Sequence, residues 1–173
     1  MTFSTIGNMD LATIFERVVI RDPHAVAIVD GDYRATYSEW RAEILGLAGG
    51  LRTIGLRPGD HFVPILSNRR EMASLYWACQ MLGVIFTPFN WRATAEEIAY
   101  ALEDADTVAM AYENRSAENA IAAADRCGIA RRIDVDSGAY AQMVAHPPID
   151  APVRRDDRET CLMLYTSGTT GRP

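Results

Sequence analysis

Cys161 to Pro173 reads CLMLYTSGTTGRP, a short apolar run that gives way abruptly to hydroxyl side chains and glycines. The run 161–165 predicts a final apolar strand. Beyond it, glycine lets the backbone approach an anion closely, and successive backbone N–H groups can form a concave anion nest. Hydroxyl groups add donors to phosphate oxygens. The stretch therefore predicts a polyphosphate-binding loop built from Thr166, Ser167, Gly168, Thr169, Thr170 and Gly171.

A flexible linker and two common glycine motifs fit this loop less well. A Gly/Ser/Thr linker rarely follows a buried strand so abruptly. A Walker A loop has four residues between its glycines and then Gly-Lys-Ser/Thr. Here Gly168 and Gly171 are too close and no lysine follows them; all 17 basic residues of the chain are arginines. A dinucleotide-type Gly-x-Gly-x-x-Gly pattern is also absent.

Upstream of the loop, strand and helix patterns alternate along the chain. Strands are expected at 25–29, 33–36, 61–66, 84–88, 107–111 and 131–135, with helices at 11–21, 37–54, 69–82, 94–105, 116–127 and 138–145. Asp30-Gly31 is a hairpin signal, and residues 146–159 read as a solvated, charged loop. This alternation predicts an α/β fold with helices packed on a mostly parallel sheet.

Several residues are expected to begin or end these helices. Asp10 and Asn68 are candidate N-caps, and two Thr/Glu pairs have capping-box spacing, namely Thr36/Glu39 and Thr94/Glu97. Gly55, Gly83 and Gly128 are placed to close helices.

Composition excludes several classes of protein. The 173 residues carry a formal charge of −6 and a pI near 5.0, so no basic surface for nucleic acid or anionic lipid is expected. The stretch 72–91 is uncharged, but it changes period midway, so a buried helix and strand are expected rather than a membrane span. The N-terminus shows no secretory signal. Cys79, Cys127 and Cys161 lack metal-binding spacing, and a reducing cytoplasm is the expected compartment.

The motif Tyr165 to Pro173 resembles the signature loop of the adenylate-forming superfamily. That superfamily contains acyl-CoA synthetases, peptide-synthetase adenylation domains and firefly-type luciferases. Further motifs resemble the same family, so that the resemblance covers nearly the whole chain. They are Ala35 to Trp40 (Trp40 replacing the usual Leu), Gly55 to Asp60, Gly83 to Asn90, and Trp91-Arg92 followed by Thr94 to Glu97.

The resemblance implies an activity, AMP-forming acyl-CoA synthesis. A carboxylate attacks the α-phosphate of ATP, and the thiol of CoA then displaces AMP. The cofactors implied are ATP, Mg²⁺ and CoA, and the substrate is a small carboxylic acid. Thr166 to Gly171 would hold the β- and γ-phosphates, and Thr166 would also contact Mg²⁺. The intact enzyme is expected to need no nucleic acid and no membrane span.

The family pattern continues beyond Pro173, usually with Lys-Gly. Residues 1–173 are therefore expected to be the N-terminal part of an AMP-binding domain, cut within the signature loop. No catalytic residue is expected in this part, because the acyl pocket and the lid with its catalytic lysine lie downstream. The chain alone is expected to be inactive. Its final apolar segment, Cys161 to Leu164, is expected to stay uncovered and to promote homo-oligomers.

Two alternatives remain open at this point. The first is an amino-acid-activating adenylation domain, whose corresponding strand usually ends Pro-x-Asp; Asn90, in Pro88-Phe89-Asn90, favours a CoA ligase instead. The second is a non-catalytic remnant that acts as an interaction module. The remaining polar residues are given structural roles: His24, His61 and His146 at the surface or at strand ends, and Arg92 in a buried ion pair.

Overall fold

A computed structural model describes residues 10–156 and 158–166. It confirms the α/β prediction and the alternation of helices with strands. In chain order the elements are α1 Leu11–Arg21, β1 Val26–Asp30, β2 Tyr33–Thr36, α2 Tyr37–Thr53, β3 His61–Ile65, α3 Arg70–Leu82, β4 Ile85–Phe86, α4 Ala95–Asp104, β5 Thr107–Tyr112, α5 Ala117–Cys127, β6 Arg132–Asp134 and α6 Gly138–Val144.

Strands β3 to β6 form a parallel sheet in the order β4-β3-β5-β6. The other two strands form the antiparallel hairpin that Asp30-Gly31 predicts, and Gly31 adopts a φ of 57° in its turn. Helices cover both faces of the parallel sheet. Phe62 belongs to a buried cluster that includes residues of α1, α2, α3 and α6, while its neighbour Val63 belongs to a second cluster with residues of α4 and α5. Burial on both faces explains why these strands are apolar throughout.

Both predicted capping boxes are present. Thr36 Oγ1 accepts the Glu39 amide at 3.3 Å, and the Glu39 carboxylate accepts the Thr36 amide at 2.8 Å. Thr94 and Glu97 make the same pair of bonds at 3.3 and 2.8 Å. Hydrogen bonds from the threonine backbone and hydroxyl lower the pKa of each glutamate. Each box therefore satisfies backbone donors that the first helical turn leaves free.

The prediction that Asn68 caps α3 is wrong. The helix begins at Arg70, and its N-cap residue, Arg69, makes no side-chain cap. Asp30 at the end of β1 supplies the acceptor instead, because its Oδ2 receives the Arg70 amide at 2.8 Å. The hairpin therefore caps a helix 40 residues away in sequence.

The loop at 146–159 is more firmly attached than the expected solvated loop. Ile149 is buried, and the Val153 amide donates to the Met81 carbonyl at 2.8 Å. Arg155 donates to the Gly83 carbonyl and pairs with Glu159. A charged side chain of this loop, that of Arg155, therefore contacts the C-terminal end of α3.

Close helix packing explains several glycines in α2. A Cβ at Gly46 would lie 2.0 Å from the carbonyl oxygen of Val144 in α6, and one at Gly49 would lie 2.1 Å from that of Pro147. These glycines let the backbone of α6 and the following loop lie directly against α2. Within the described residues, no helix is both long and apolar enough to cross a membrane.

Gly46→Ala should destabilise the fold, although alanine ordinarily favours a helix interior by about 0.5–1 kcal/mol over glycine. The added methyl meets backbone that cannot turn aside, so we expect the free energy of unfolding to fall by about 1–3 kcal/mol. Urea denaturation followed by circular dichroism measures it. Gly138→Ala in α6 is the control, because nothing lies within 4 Å of its Cβ position. Equal stability of the two variants would contradict this packing.

Candidate functional site

The segment that leads into the predicted phosphate loop lies beside β4 at the edge of the sheet. The Phe86 amide donates to the Cys161 carbonyl, and the Met163 amide donates to the Phe86 carbonyl, both at 3.1 Å. Leu162 and Phe86 thus form a single parallel bridge. The expected strand over 161–165 is reduced to this one bridge.

Pro88 accounts for the short pairing. The Thr87 and Phe89 amides donate inward to β3, at 2.9 and 3.0 Å, so that Phe86 and Pro88 are the residues whose backbone faces the edge. Proline has no N–H to continue a ladder. At Pro88 the edge therefore offers no donor for residues 161–165. Strand β4 is Ile85–Phe86, shorter than the predicted 84–88.

Side chains of this segment alternate between two surfaces. Leu162 and Leu164 face a groove of about 520 Å³, whose other walls come from the β1–β2 hairpin, α3 and β4. They remain 39% and 61% exposed. Met163 and Tyr165 point the opposite way, towards the end of α4. The final apolar segment is therefore open on the side of the groove, as expected from the sequence.

Tyr165 fixes the end of the segment. Its ring packs edge-on against Phe89, with centroids 5.6 Å apart. Its hydroxyl donates to Asp104 Oδ2 at 2.7 Å and also lies 3.4 Å from the Ala101 carbonyl. Partial burial and, next, the hydrogen bond to Asp104 raise the pKa of Tyr165. The phenol is therefore a protonated donor at neutral pH.

Of the predicted site residues, Thr166 is described and is exposed immediately after Tyr165. The other five, Ser167, Gly168, Thr169, Thr170 and Gly171, lie outside the described residues. Thr166 offers one oxygen ligand, which suits Mg²⁺ because that ion usually takes only one or two protein ligands and completes its shell with phosphates and water. No cluster of three metal-ligating side chains occurs among the described residues.

A charged network that sequence reasoning missed lies at the carboxyl ends of β3, β5 and β6. Glu113 is only 2% exposed. Its carboxylate accepts the Ser67 amide at 2.9 Å and a guanidinium N–H of Arg69 at 3.0 Å. Arg69 also pairs with Glu71 and Asp136, at 2.6 and 2.7 Å. The available signal was a charged residue within four positions after each of these strands.

This network occupies the place where sheets of this topology usually bind ligands. The strand order reverses between β3 and β5, and ligands of such sheets bind in the crevice outside that point. Here Glu113 and Arg69 form a hydrogen-bonded ion pair at that end of the sheet. The predicted phosphate loop instead begins near the β4 edge of the same sheet.

The prediction of a buried ion pair at Arg92 is wrong. Arg92 is exposed, and its guanidinium stacks on the Trp91 ring at 4.0 Å from the centroid. Arg115 lies over the same ring at 5.0 Å. The aromatic ring attracts both cations, so Arg92 needs no carboxylate. His61, by contrast, lies at a strand end as expected, with Nδ1 3.0 Å from Thr87 Oγ1.

The family model of AMP-binding enzymes matches residues 15–173, and the chain belongs to that family. Among similar proteins, a feruloyl-CoA synthase from Amycolatopsis sp is 36% identical over 151 residues, 87% of this chain and 29% of the relative. A 2-succinylbenzoate–CoA ligase from Bacillus licheniformis is 32% identical, covering 87% of this chain and 30% of the relative. The chain therefore spans less than a third of the length of these curated relatives.

Solved structures show the same fold. The inhibitor-bound N-terminal domain of FACL13 from Mycobacterium tuberculosis superposes with a TM-score of 0.84 at 26% identity, over 95% of this chain and 42% of that chain. The o-succinylbenzoate CoA synthetase of Bacillus subtilis, in complex with an acyl-adenylate intermediate, gives 0.78 at 25% identity, over 96% of this chain and 41% of that chain. The resemblance to adenylate-forming enzymes inferred from the motifs is thereby confirmed.

Arg69→Ala should test the charged network. It leaves Glu113 buried without its cation, and removal of one partner of a buried pair typically costs about 3–5 kcal/mol. Because Arg69 is 25% exposed, we expect a loss nearer about 2–4 kcal/mol in the free energy of unfolding. Chemical denaturation measures it. The exposed Arg52→Ala is the control, expected to change stability by about 0.5 kcal/mol or less. A loss no larger than the control's would show that the network does not stabilise the sheet.

Proposed function

We propose that this chain is the N-terminal part of an ATP-dependent carboxylic acid:CoA ligase, with residues 1–173 ending inside its phosphate-binding loop. Family membership supports the proposal, as does the fact that the two relatives described above act as CoA ligase and CoA synthase. The observation that carries it is structural. The first predicted phosphate contact, Thr166, is exposed and directly follows Tyr165, which α4 anchors.

In the proposed reaction the protein's part is to hold and orient phosphate. Backbone amides and hydroxyls of Thr166 to Gly171 would grip the β- and γ-phosphates of ATP, and Thr166 would supply one ligand to Mg²⁺. Fixed donors of this kind stabilise charge that develops as the carboxylate attacks the α-phosphate. CoA would accept the acyl group in the second step. No catalytic residue is assigned within this chain.

The relatives indicate which class of carboxylate the proposed ligase would activate. Their names point to an aromatic propenoic acid and to succinylbenzoate, and a long-chain-fatty-acid–CoA ligase from Mycobacterium tuberculosis is also 31% identical over 147 residues. An aromatic acid is favoured, because the feruloyl-CoA synthases have the highest identity among these relatives. Fatty-acid metabolism and a cytoplasmic location stay predictions.

ATP–pyrophosphate exchange tests the proposal, with ferulate, succinylbenzoate and a long-chain fatty acid as carboxylates. The purified 173-residue chain should give no exchange and no CoA thioester, whereas the product of the complete reading frame should give both. In that longer product Thr169→Ala should lower the rate about 10²–10³-fold, the usual loss for one transition-state donor. The control Thr160→Ala, which lies in the preceding loop, should leave the rate unchanged.

Absence of carboxylate-dependent exchange in the longer product would contradict the ligase assignment. Exchange with amino acids instead would establish the amino-acid-activating alternative. Thioester formation by the short chain, with contaminating ligase excluded by the Thr169→Ala variant, would refute its inactivity.

We also propose that exposed Leu162 and Leu164 promote self-association of the short chain, because association would remove their apolar surface from water. Light scattering detects it. Leu164→Asp should reduce the apparent mass, and a wild-type chain that stays monomeric on concentration would contradict the proposal.

A further inference from the structure

The backbone of the final segment loses its attachment to the sheet before the phosphate loop begins. Its last described main-chain bond to the sheet is donated by the Met163 amide. Pro88 cannot continue the ladder. Among the described residues, no backbone hydrogen bond joins residues 164–166 to another part of the chain. The Tyr165 side chain is therefore the contact that fixes the start of the loop.

The partner that receives Tyr165 stands on a rigid element. Helix α4 begins with a capping box, and its inner face is fully buried through Ile98, Ala101 and Leu102. Asp104 is the last residue of this helix. Its carboxylate accepts the Tyr165 hydroxyl at 2.7 Å, the short distance typical of a charge-assisted hydrogen bond. The position of Tyr165 is thus set by its contact with a helix packed on the core, and not by the edge strand alone.

Asp104 is unfavourable for the helix that carries it. An acidic side chain in the last turn opposes the helix dipole, Glu103 adds a second negative charge beside it, and the last turn contains no basic residue. Aspartate also has a poor intrinsic helix propensity. A residue that disfavours its own helix and yet holds the tyrosine in front of the loop has a role outside that helix.

We propose that Asp104 is a positioning residue for the phosphate loop, holding Tyr165 and thereby fixing the point from which Thr166 and the following residues reach ATP. The inference rests on the proposed function of the loop. A start point that is fixed beforehand reduces the conformational freedom lost when phosphate binds. We predict that loss of Asp104 makes the loop less ordered and weakens nucleotide binding, with no loss of global stability.

Four variants of the 173-residue chain separate positioning from stability. Asp104→Ala removes the acceptor, whereas Asp104→Asn keeps a carbonyl oxygen that can still accept the hydroxyl. Tyr165→Phe removes the donor but keeps the ring against Phe89. Tyr100→Phe is the control, because Tyr100 belongs to the same aromatic cluster, 6.3 Å from the Tyr165 ring, and its hydroxyl is not the one that meets Asp104.

Three measurements are made on each variant: hydrogen–deuterium exchange of peptides covering 162–173, the thermal midpoint, and the Kd for MgATP. Asp104→Ala and Tyr165→Phe should each accelerate exchange of the Met163 amide, which donates to the Phe86 carbonyl, by about tenfold, the lower range for a hydrogen bond to a charged group. Their Kd for MgATP should rise by a similar factor. The thermal midpoint should be unchanged or, for Asp104→Ala, higher. Tyr100→Phe should resemble the unaltered chain, and Asp104→Asn should fall between the unaltered chain and Asp104→Ala, because a neutral acceptor makes a weaker hydrogen bond.

Each outcome supports or overturns the positioning role. Unchanged exchange in 162–173 for both Asp104→Ala and Tyr165→Phe would overturn the proposal. Faster exchange throughout the chain, with a lower thermal midpoint, would also overturn it by showing a purely structural role. Two results would establish the anchor and count against the proposed function of the loop. One is faster local exchange with an unchanged Kd for MgATP; the other is faster local exchange in a chain that does not bind MgATP even when unaltered. The failures of the two proposals are therefore distinguishable.

Discussion

The ion pair between Glu113 and Arg69 is the interaction on which the arrangement of this sheet depends. A carboxylate that is almost wholly buried needs a cation and hydrogen-bond donors, and Arg69 and the Ser67 amide provide them. Because the same guanidinium reaches Asp136, the pair ties the carboxyl ends of β3, β5 and β6 together. It lies at the end of the sheet where sheets of this order usually receive a ligand.

The predicted phosphate loop begins at the edge of the sheet, beside β4. Pro88 removes the next donor from the outer edge of the sheet. The segment leading to the loop is held by one bridge at Leu162, by the Gln80 side chain at Cys161 and by Tyr165. The last described main-chain bond between this segment and the sheet is at Met163, shortly before the glycines and hydroxyl side chains of the motif begin. The same geometry leaves Leu162 and Leu164 exposed, which links the proposed self-association to the proposed site.

Local signals in the sequence were sufficient for most of the fold. The two capping boxes, the closing glycines Gly83 and Gly128 and the Asp30-Gly31 turn each act over a few residues, and each is found where expected. The α3 cap and the charged network were missed because their partners are distant in sequence. Asp30 caps α3 across 40 residues, and Arg69 meets Glu113 across 44. For the site, the motif indicated its chemistry, but the hydrogen bond from Tyr165 to Asp104, across 61 residues, could not be read from spacing.

Amide chemical shifts of the ¹⁵N-labelled chain, recorded while Mg²⁺ and tripolyphosphate are added, test the central claim most directly, because they locate the phosphate contacts without requiring turnover. The account predicts saturable shifts concentrated in Thr166 to Gly171, with smaller ones at Tyr165 and Asp104 through the anchor. Shifts centred on the arginines that stack on Trp91, or no saturable shifts in the loop, would contradict it.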